Sequence, residues 1–344
     1  MSIKIKIADI ERHRNETTFR PYLLASDYFR ECGIQFITSG NSYDFLWIGQ
    51  ASYSNKSLPL QESIDRGLEY LDKITGDYWL FDGQDSASLI GTYDIFLKSS
   101  AQFLLKNTLY REKSEYSLPY INGRNYWGMR RDGWSIRDWS RFDDVVLSGT
   151  NWLSTVVPNW FSYSKAEKEI DVFAIFQYPA KENFEFMLRT SEEYDAHRER
   201  CINELKTLPR SVRVAMLDSQ TRIPPQEYYN LMSKSKIVIA PFGYGEMAPR
   251  DIESAMVGSI LIKPNMNHLS SIPWVYIPEH TYVSVDWDFS NLRLQISEIL
   301  ENWKSNQAWF VEHMRRTYSE QYSTEKLITY IHNLLQKTPN VEVE

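Results

Sequence analysis

Residues 237–264 read IVIAPFGYGEMAPRDIESAMVGSILIKP. Two apolar runs of strand length, IVIAPF and SILIKP, bracket glycines, prolines, three acids and an arginine. An apolar strand that hands over to so polar a loop predicts a strand–loop–helix–strand unit of a parallel sheet. Gly243 and Gly245 fall just past the carboxyl end of the first strand, where the chain must turn and a ligand can approach the backbone closely. Pro249 suits the first helical position, because the N–H it lacks would be orphaned there. A helix is expected over 249–257, with Gly258 as its left-handed cap. A glycine loop feeding a helix N-terminus attracts phosphate through free N–H groups and the positive dipole end. Arg250 adds a bidentate phosphate donor in the first turn. Glu253 shares that face three residues on and can accept from ribose hydroxyls, while Glu246, on the loop, can reach a sugar hydroxyl. A surface ion pair between Arg250 and either glutamate would use the same residues. Their place on the carboxyl side of a sheet, where ligands bind in such folds, favours the phosphate site.

Outward from this unit, strands and helices alternate along the chain. In the first half, residues 3–10, 33–39, 43–49 and 77–83 read as strands, 19–32 as a helix ending at Gly33, and 60–75 as another helix. A second series opens near Glu169, with strands at 169–176, 212–217 and 236–242 and helices at 191–208 and 224–235. Residues 274–278 and 282–287 are further strand candidates, and 292–303 and 305–335 close the chain as helices. Between the two series, residues 118–164 are rich in Gly, Asn, Arg and Trp and read as an irregular connection. The expectation is an α/β chain of two Rossmann-like halves, 1–165 and 166–319, facing a central cleft. That cleft is the default ligand site.

Composition narrows the functional classes. A net charge of −7 over 344 residues argues against a general nucleic-acid binder. The two cysteines, Cys32 and Cys201, lie in no CxxC and beside no histidine cluster, so neither a disulfide framework nor a zinc site is indicated. No apolar run reaches bilayer length and the charged start is unlike a signal peptide, which leads to the expectation of a cytoplasmic protein with no integral membrane segment. Eleven Trp and twenty-two Tyr are in excess, and such rings serve both cores and stacking surfaces for sugars and bases.

The motif GYGEMA also fits a dinucleotide fingerprint, G-x-G-x-x-A. A nicotinamide enzyme would want an acid after the next strand, whereas IKPNMNH offers Lys263, Asn265 and Asn267. The whole stretch APFGYGEMAPRDIESAMVGSILIKPNMNHL resembles the nucleotide-binding signature of GT-B glycosyltransferases, in the group-one, spore-protein-like and exostosin-like branch. The segment YYNLMSKSK before it is similar to the same branch. The likeness covers about residues 166–335 well and the first half loosely. It implies that Gly243, Tyr244, Gly245 and Glu246 hold the phosphates and donor sugar, Arg250 the diphosphate, and Glu253 the ribose. It further implies that the helix of 320–344 packs back toward the first half. Glu246 and Glu253 stand seven apart, slightly short of the spacing of two acids in many retaining members. The implied activity is transfer of a hexosyl or pentosyl group from a nucleotide-diphosphate sugar to a glycan or another hydroxyl-bearing acceptor, without cofactor. Two other readings are kept: a nicotinamide-dependent oxidoreductase and a non-catalytic carbohydrate-binding protein.

Further candidates follow from position. Asp82 and Asp85 lie just beyond a strand end in the first half, and either can act as a general base for the acceptor hydroxyl or cap the next helix. Asp85 is preferred because it lies further past the strand, Asp9 is a rival, and Glu246 is taken with Asp85 as a catalytic candidate. Lys263 and His268 fall on the cleft side and are read as donor contacts with Arg250 and Glu253. Lys181, Arg198 and Arg200 could add charge to a diphosphate or serve as solvated surface charges. The Trp-rich residues 126–139 are either a stacking platform or a hinge packed by indoles. Asp286 and Asp288 form one Asp-x-Asp, which could hold a cation but reads more simply as a strand end leading into a helix. No metal is expected, since positive side chains and a helix terminus can stabilise the leaving diphosphate.

Overall fold

The computed structural model describes residues 2–55, 58–117, 135–150, 166–176, 191–216, 223–243 and 245–337. The first half contributes β1 (Ile3–Ile7), β2 (Ile34–Ile37), β3 (Phe45–Gly49), β4 (Tyr78–Asp82), β5 (Leu104–Lys106), β6 (Leu109–Tyr110) and β7 (Val145–Leu147). All but β6 form a parallel sheet in the order β2-β1-β3-β4-β5-β7. Every residue of β3 and β4 is buried, as expected of unbroken apolar runs in a sheet covered on both faces. Its helices are α1 (His13–Leu24), α2 (Ser26–Glu31), α3 (Gln50–Tyr53), α4 (Leu60–Leu71) and α5 (Thr92–Lys98).

The second half contributes β8 (Ile170–Phe173), β9 (Val214–Ala215), β10 (Ser235–Ile239), β11 (Ile260–Pro264), β12 (Leu269–Ser270) and β13 (Val283–Val285). All but β12 form a parallel sheet in the order β13-β11-β10-β8-β9. Its helices are α6 (Ser191–Lys206), α7 (Pro225–Ser233), α8 (Pro249–Met256), α9 (Leu292–Glu301) and α10 (Trp303–Gln321). The strand order reverses between β1 and β3 in one sheet and between β8 and β10 in the other, so each half is a Rossmann-like unit with its own switch point. This is the GT-B arrangement of two such units. Among the described residues, no helix is long and apolar enough to cross a membrane.

Three apolar clusters hold the layers. One lies between the first sheet and α1, α2 and α11 (Thr324–Leu335), with Ile331, Leu334 and Leu335 of α11 packed beside Phe19, Tyr22 and Trp47. A second covers one face of the other sheet with α6, α9 and Phe310 of α10. The third is shared by both halves, running from Leu80 and Leu104 through Tyr116, Met247 and Leu269 to Val238 and Leu261. A short antiparallel ribbon of β6 with β12 adds backbone pairing across the same boundary, with Tyr110 opposite Leu269.

Two expectations are corrected here. Residues 19–32 are not one helix: the chain breaks at Ala25 between α1 and α2, after Pro21 removes a hydrogen-bond donor inside α1. Residues 118–164 are not wholly irregular, since β7 pairs with β5 at the sheet edge.

Candidate active site

The glycine loop leaves β10 beside the switch point of the second sheet. It closes as a tight turn, with the Gly243 N–H donating to the Gly245 carbonyl at 2.9 Å. Tyr244 lies outside the described residues. Gly245 abuts the first half so closely that a Cβ there would lie 1.9 Å from the carbonyl oxygen of Asp85, so only glycine fits. The sequence-predicted helix start and stop hold: Pro249 opens α8, and Gly258 follows its end at φ 69°. Asp251, three residues past Ala248, turns its carboxylate back to accept the Ala248 N–H at 3.0 Å, fixing the loop-to-helix corner.

Lys263, expected from the sequence among the donor contacts, has its Nζ 2.5 Å from the Asp251 carboxylate and donates to the Glu246 carbonyl at 2.8 Å. Tyr276 donates to the same carboxylate at 2.7 Å. Lys263 is 1 % exposed and Asp251 fully buried. Every residue of β11 is buried, so an ammonium there must find its partners inside the protein. Burial holds the Lys263 pKa below its usual value, against the opposing pull of Asp251. Lys263 therefore braces the glycine loop from beneath.

Two guanidinium groups stand beside that loop. Arg250 places its Cζ 5.8 Å from the ring centre of Phe176, and Arg198 lies 5.5 Å from the same ring. Arg198, left open between phosphate contact and surface charge by the sequence, is only 7 % exposed. Its Nε donates to the Phe242 carbonyl at 3.0 Å, and its Nη2 would lie 3.0 Å from a Cβ at Gly243. The neighbouring His197 accepts the Phe242 N–H through Nε2 at 3.1 Å and stacks on Trp287 at 4.1 Å. Burial, aided by Arg198 and Arg200, pushes its pKa down to about 3, so the ring is a neutral acceptor. No sequence signal marks His197; the helix-bound pair becomes visible only when α6 is seen to end its first turns against the glycine loop. Arg200 is exposed, and Lys181 lies outside the described residues.

Glu253 is 8 % exposed on α8 and accepts from the Tyr229 hydroxyl at 2.7 Å. Burial raises its pKa, while Tyr229 and Arg250 pull it back. Glu246 is buried in the loop, with its carbonyl held by Lys263.

Across the boundary the two aspartates separate. Asp82 is buried and fully used: Lys106 Nζ lies 3.0 Å away, Thr92 Oγ1 donates at 2.7 Å and the Gln84 N–H at 2.9 Å. Asp85 is exposed, with its backbone against Gly245. Asp9, just past the end of β1, accepts from Tyr70 at 3.2 Å. His268 sits 6.2 Å from the Phe242 ring, and its carbonyl accepts the Arg111 N–H. Asp288 accepts the Ser290 N–H at 3.0 Å, a turn leading toward α9. Of residues 126–139, only 135–139 are described; there Trp139 packs on Phe142 at 5.0 Å.

Comparison with known proteins bears on the fold. No family model matches the chain, and no curated protein matches it by sequence. Among solved structures, Alr3699/HepE of Anabaena in complex with UDP-glucose is similar at a TM-score of 0.50 and 11% identity, covering 98% of this chain and 100% of that one. An alpha-glucosyltransferase in complex with UDP and a 13-mer DNA containing a HMU base is similar at a TM-score of 0.51 and 12% identity, with the same coverage. At such identities the likeness is one of fold, over the full length of both chains.

Proposed function

We propose that the protein is a glycosyltransferase that moves a sugar from a nucleotide-diphosphate donor to an acceptor hydroxyl, of the group-one, spore-protein-like and exostosin-like branch, working in the cytoplasm. The observation that carries the reading is the meeting of Arg198, Arg250, the glycine loop and Glu253 at the switch point of the second sheet. A ligand with two linked phosphates and a ribose matches that set: guanidinium groups for phosphate, a glycine turn for close approach, and a carboxylate for vicinal hydroxyls. The full-length likeness to a fold seen with UDP-glucose and with UDP supports the same assignment.

In this reading residues 166–319 form the donor-binding unit, residues 1–165 face the acceptor, and α11 returns to the first half. The acceptor oxygen attacks the anomeric carbon as the bond from that carbon to the diphosphate oxygen breaks. Arg198 and Arg250 take up the charge that grows on the departing diphosphate. Asp85, exposed at the boundary, is the candidate for taking the acceptor proton. Asp82 is unsuited to it, because Lys106 and Thr92 occupy its carboxylate. Gly243, Tyr244 and Gly245 contact the phosphates, Glu246 supports the donor sugar from within the loop, and His268 lies on its cleft side.

Calorimetry with UDP, GDP and their nucleosides tests the assignment. Arg250→Ala should weaken diphosphate binding by about 1.5–3 kcal/mol, the range of a charge-assisted contact, and leave nucleoside binding nearly unchanged. Equal losses for both ligand types, or no nucleoside diphosphate binding by the native protein, would overturn it.

A further inference from the structure

Two histidines from separate elements meet beside α10. His280 belongs to the turn of residues 277–281 that precedes β13, and His313 lies on α10 itself. Their ring centres are 5.5 Å apart, with the ring planes at 71°. Trp309, one helical turn before His313, packs on that ring at 3.8 Å and lies 5.8 Å from the ring of His280. No spacing motif announces the pair, because turn and helix meet only in the fold.

Each ring is held in the same tautomer. His313 Nδ1 faces the Trp309 carbonyl at 2.8 Å, and His280 Nδ1 faces the Pro278 carbonyl at 3.1 Å. A carbonyl oxygen only accepts, so in the neutral ring Nδ1 carries the proton and Nε2 keeps its lone pair. Neither Nε2 has a hydrogen-bond partner among the described residues. A metal-bound imidazole is arranged in this way, its second nitrogen donating to a backbone carbonyl that fixes the ring. The frame around the pair is built as well. The Trp309 indole N–H donates to the Glu279 carbonyl at 3.2 Å, tying helix to turn. Within the turn, the His280 and Thr281 N–H groups donate to the Ile277 carbonyl, and Thr281 Oγ1 accepts the Ile277 N–H at 2.8 Å.

Two imidazoles that share one ion through bonds of about 2.0–2.1 Å at a tetrahedral angle have ring centres about 5 Å apart. The two rings stand at about that separation. Imidazole nitrogen suits zinc, copper and nickel, whereas magnesium and calcium take oxygen ligands. Among the described residues no group of three His, Cys, Asp or Glu side chains is placed to hold an ion, which leaves the other coordination positions to water. We propose that His280 and His313 form a binding site for one divalent transition-metal ion of the zinc type, which clips the 277–281 turn to α10. The Tyr318 hydroxyl of α10 donates to the Asp251 carbonyl of α8 at 3.3 Å, so the clip steadies the helix on which α8 rests. The proposal is independent of the glycosyltransferase reading.

The test uses the full chain without an affinity tag, stripped with EDTA and then dialysed. Calorimetric titration with zinc chloride, and thermal unfolding with and without zinc, compare the native protein with His280→Gln, His313→Gln and His332→Gln. His332 is the control, a histidine on α11 whose Nε2 faces the Cys32 carbonyl. The native protein should bind one zinc ion per chain. Either His280→Gln or His313→Gln should weaken that binding by about tenfold or more, and His332→Gln by less than about twofold. Zinc should raise the melting temperature of the native and His332→Gln proteins but not of the other two, because the ligands come together only in the folded chain. Magnesium chloride in excess should not displace the zinc. His280 is exposed, so His280→Gln decides the matter even where the half-buried His313 does not tolerate replacement. Absence of saturable zinc binding, native affinity in His280→Gln, an equal loss in His332→Gln, or displacement by magnesium would overturn the proposal.

Discussion

Replacing Lys263 with Met removes an ammonium that has two buried duties. It neutralises Asp251 at 2.5 Å, and it satisfies the Glu246 carbonyl at 2.8 Å. A carboxylate stranded inside a protein costs about 3–5 kcal/mol, and an orphaned buried carbonyl about 1–3 kcal/mol. Lys263→Met should therefore destabilise by about 4–8 kcal/mol, against a total of about 5–15 kcal/mol for an ordinary folded protein. The double variant Asp251→Asn with Lys263→Met has no stranded charge, and Asn keeps an acceptor for the Ala248 N–H. It should lie only about 1–3 kcal/mol below the native protein, the share left by the Glu246 carbonyl. Urea unfolding followed by tryptophan fluorescence measures both, provided the slopes agree. If Lys263→Met falls within about 1 kcal/mol of native, or the double variant is no better than the single one, the buried pair does not hold the glycine loop.

Three further outcomes are expected. Lys168 donates to the carbonyls of Ser233 and Val257 at 2.8 Å each and to Ser259, and burial lowers its pKa from 10.5 to about 8. The unfolded chain then holds the extra proton, so stability should rise with pH between about 8 and 10 by about 2–3 kcal/mol, and Lys168→Met should flatten that rise; a native curve without a rise refutes it. Gly245→Ala would drive a methyl into the Asp85 backbone, so a destabilisation of about 1–3 kcal/mol and a marked loss of turnover are expected, and native behaviour in both would disprove the close approach. Asp85→Asn should lower turnover about a hundred- to ten-thousand-fold with unchanged stability, whereas Asp82→Asn should first cost stability, by about 3–5 kcal/mol, because it strands Lys106; a silent Asp85→Asn removes it as the base.

The β10–α8–β11 unit was legible because each of its signals is local. Pro249 and Gly258 mark the helix ends by backbone geometry alone, and unbroken apolar runs mark strands covered on both faces. What escaped depends on contacts distant in sequence. β5 and β7 are three residues each, too short for periodicity, and gain their identity only from pairing with each other and with β4. Residues 274–278 read as a strand, yet the Ile277 N–H goes to Thr281 Oγ1 and the segment joins no sheet. Lys263 and Arg198 carry the same lesson for the site. A charged residue near a strand end or on a helix can face ligand or core, and only its partner, Asp251 in one case and the Phe242 carbonyl in the other, settles which.

The cluster that joins Leu80 and Tyr116 to Met247 and Val238, together with the β6–β12 ribbon, bears on how this chain can be inherited or rebuilt. Enzymes made of two Rossmann-like units invite modular exchange, one unit kept for its donor and the other traded for a new acceptor. Here a cut at the boundary would expose Met247, Leu269 and Tyr116 to water and leave Gly245 facing a foreign backbone. A graft would have to carry both sides of that contact surface together. On this packing the unit of recombination is the whole chain.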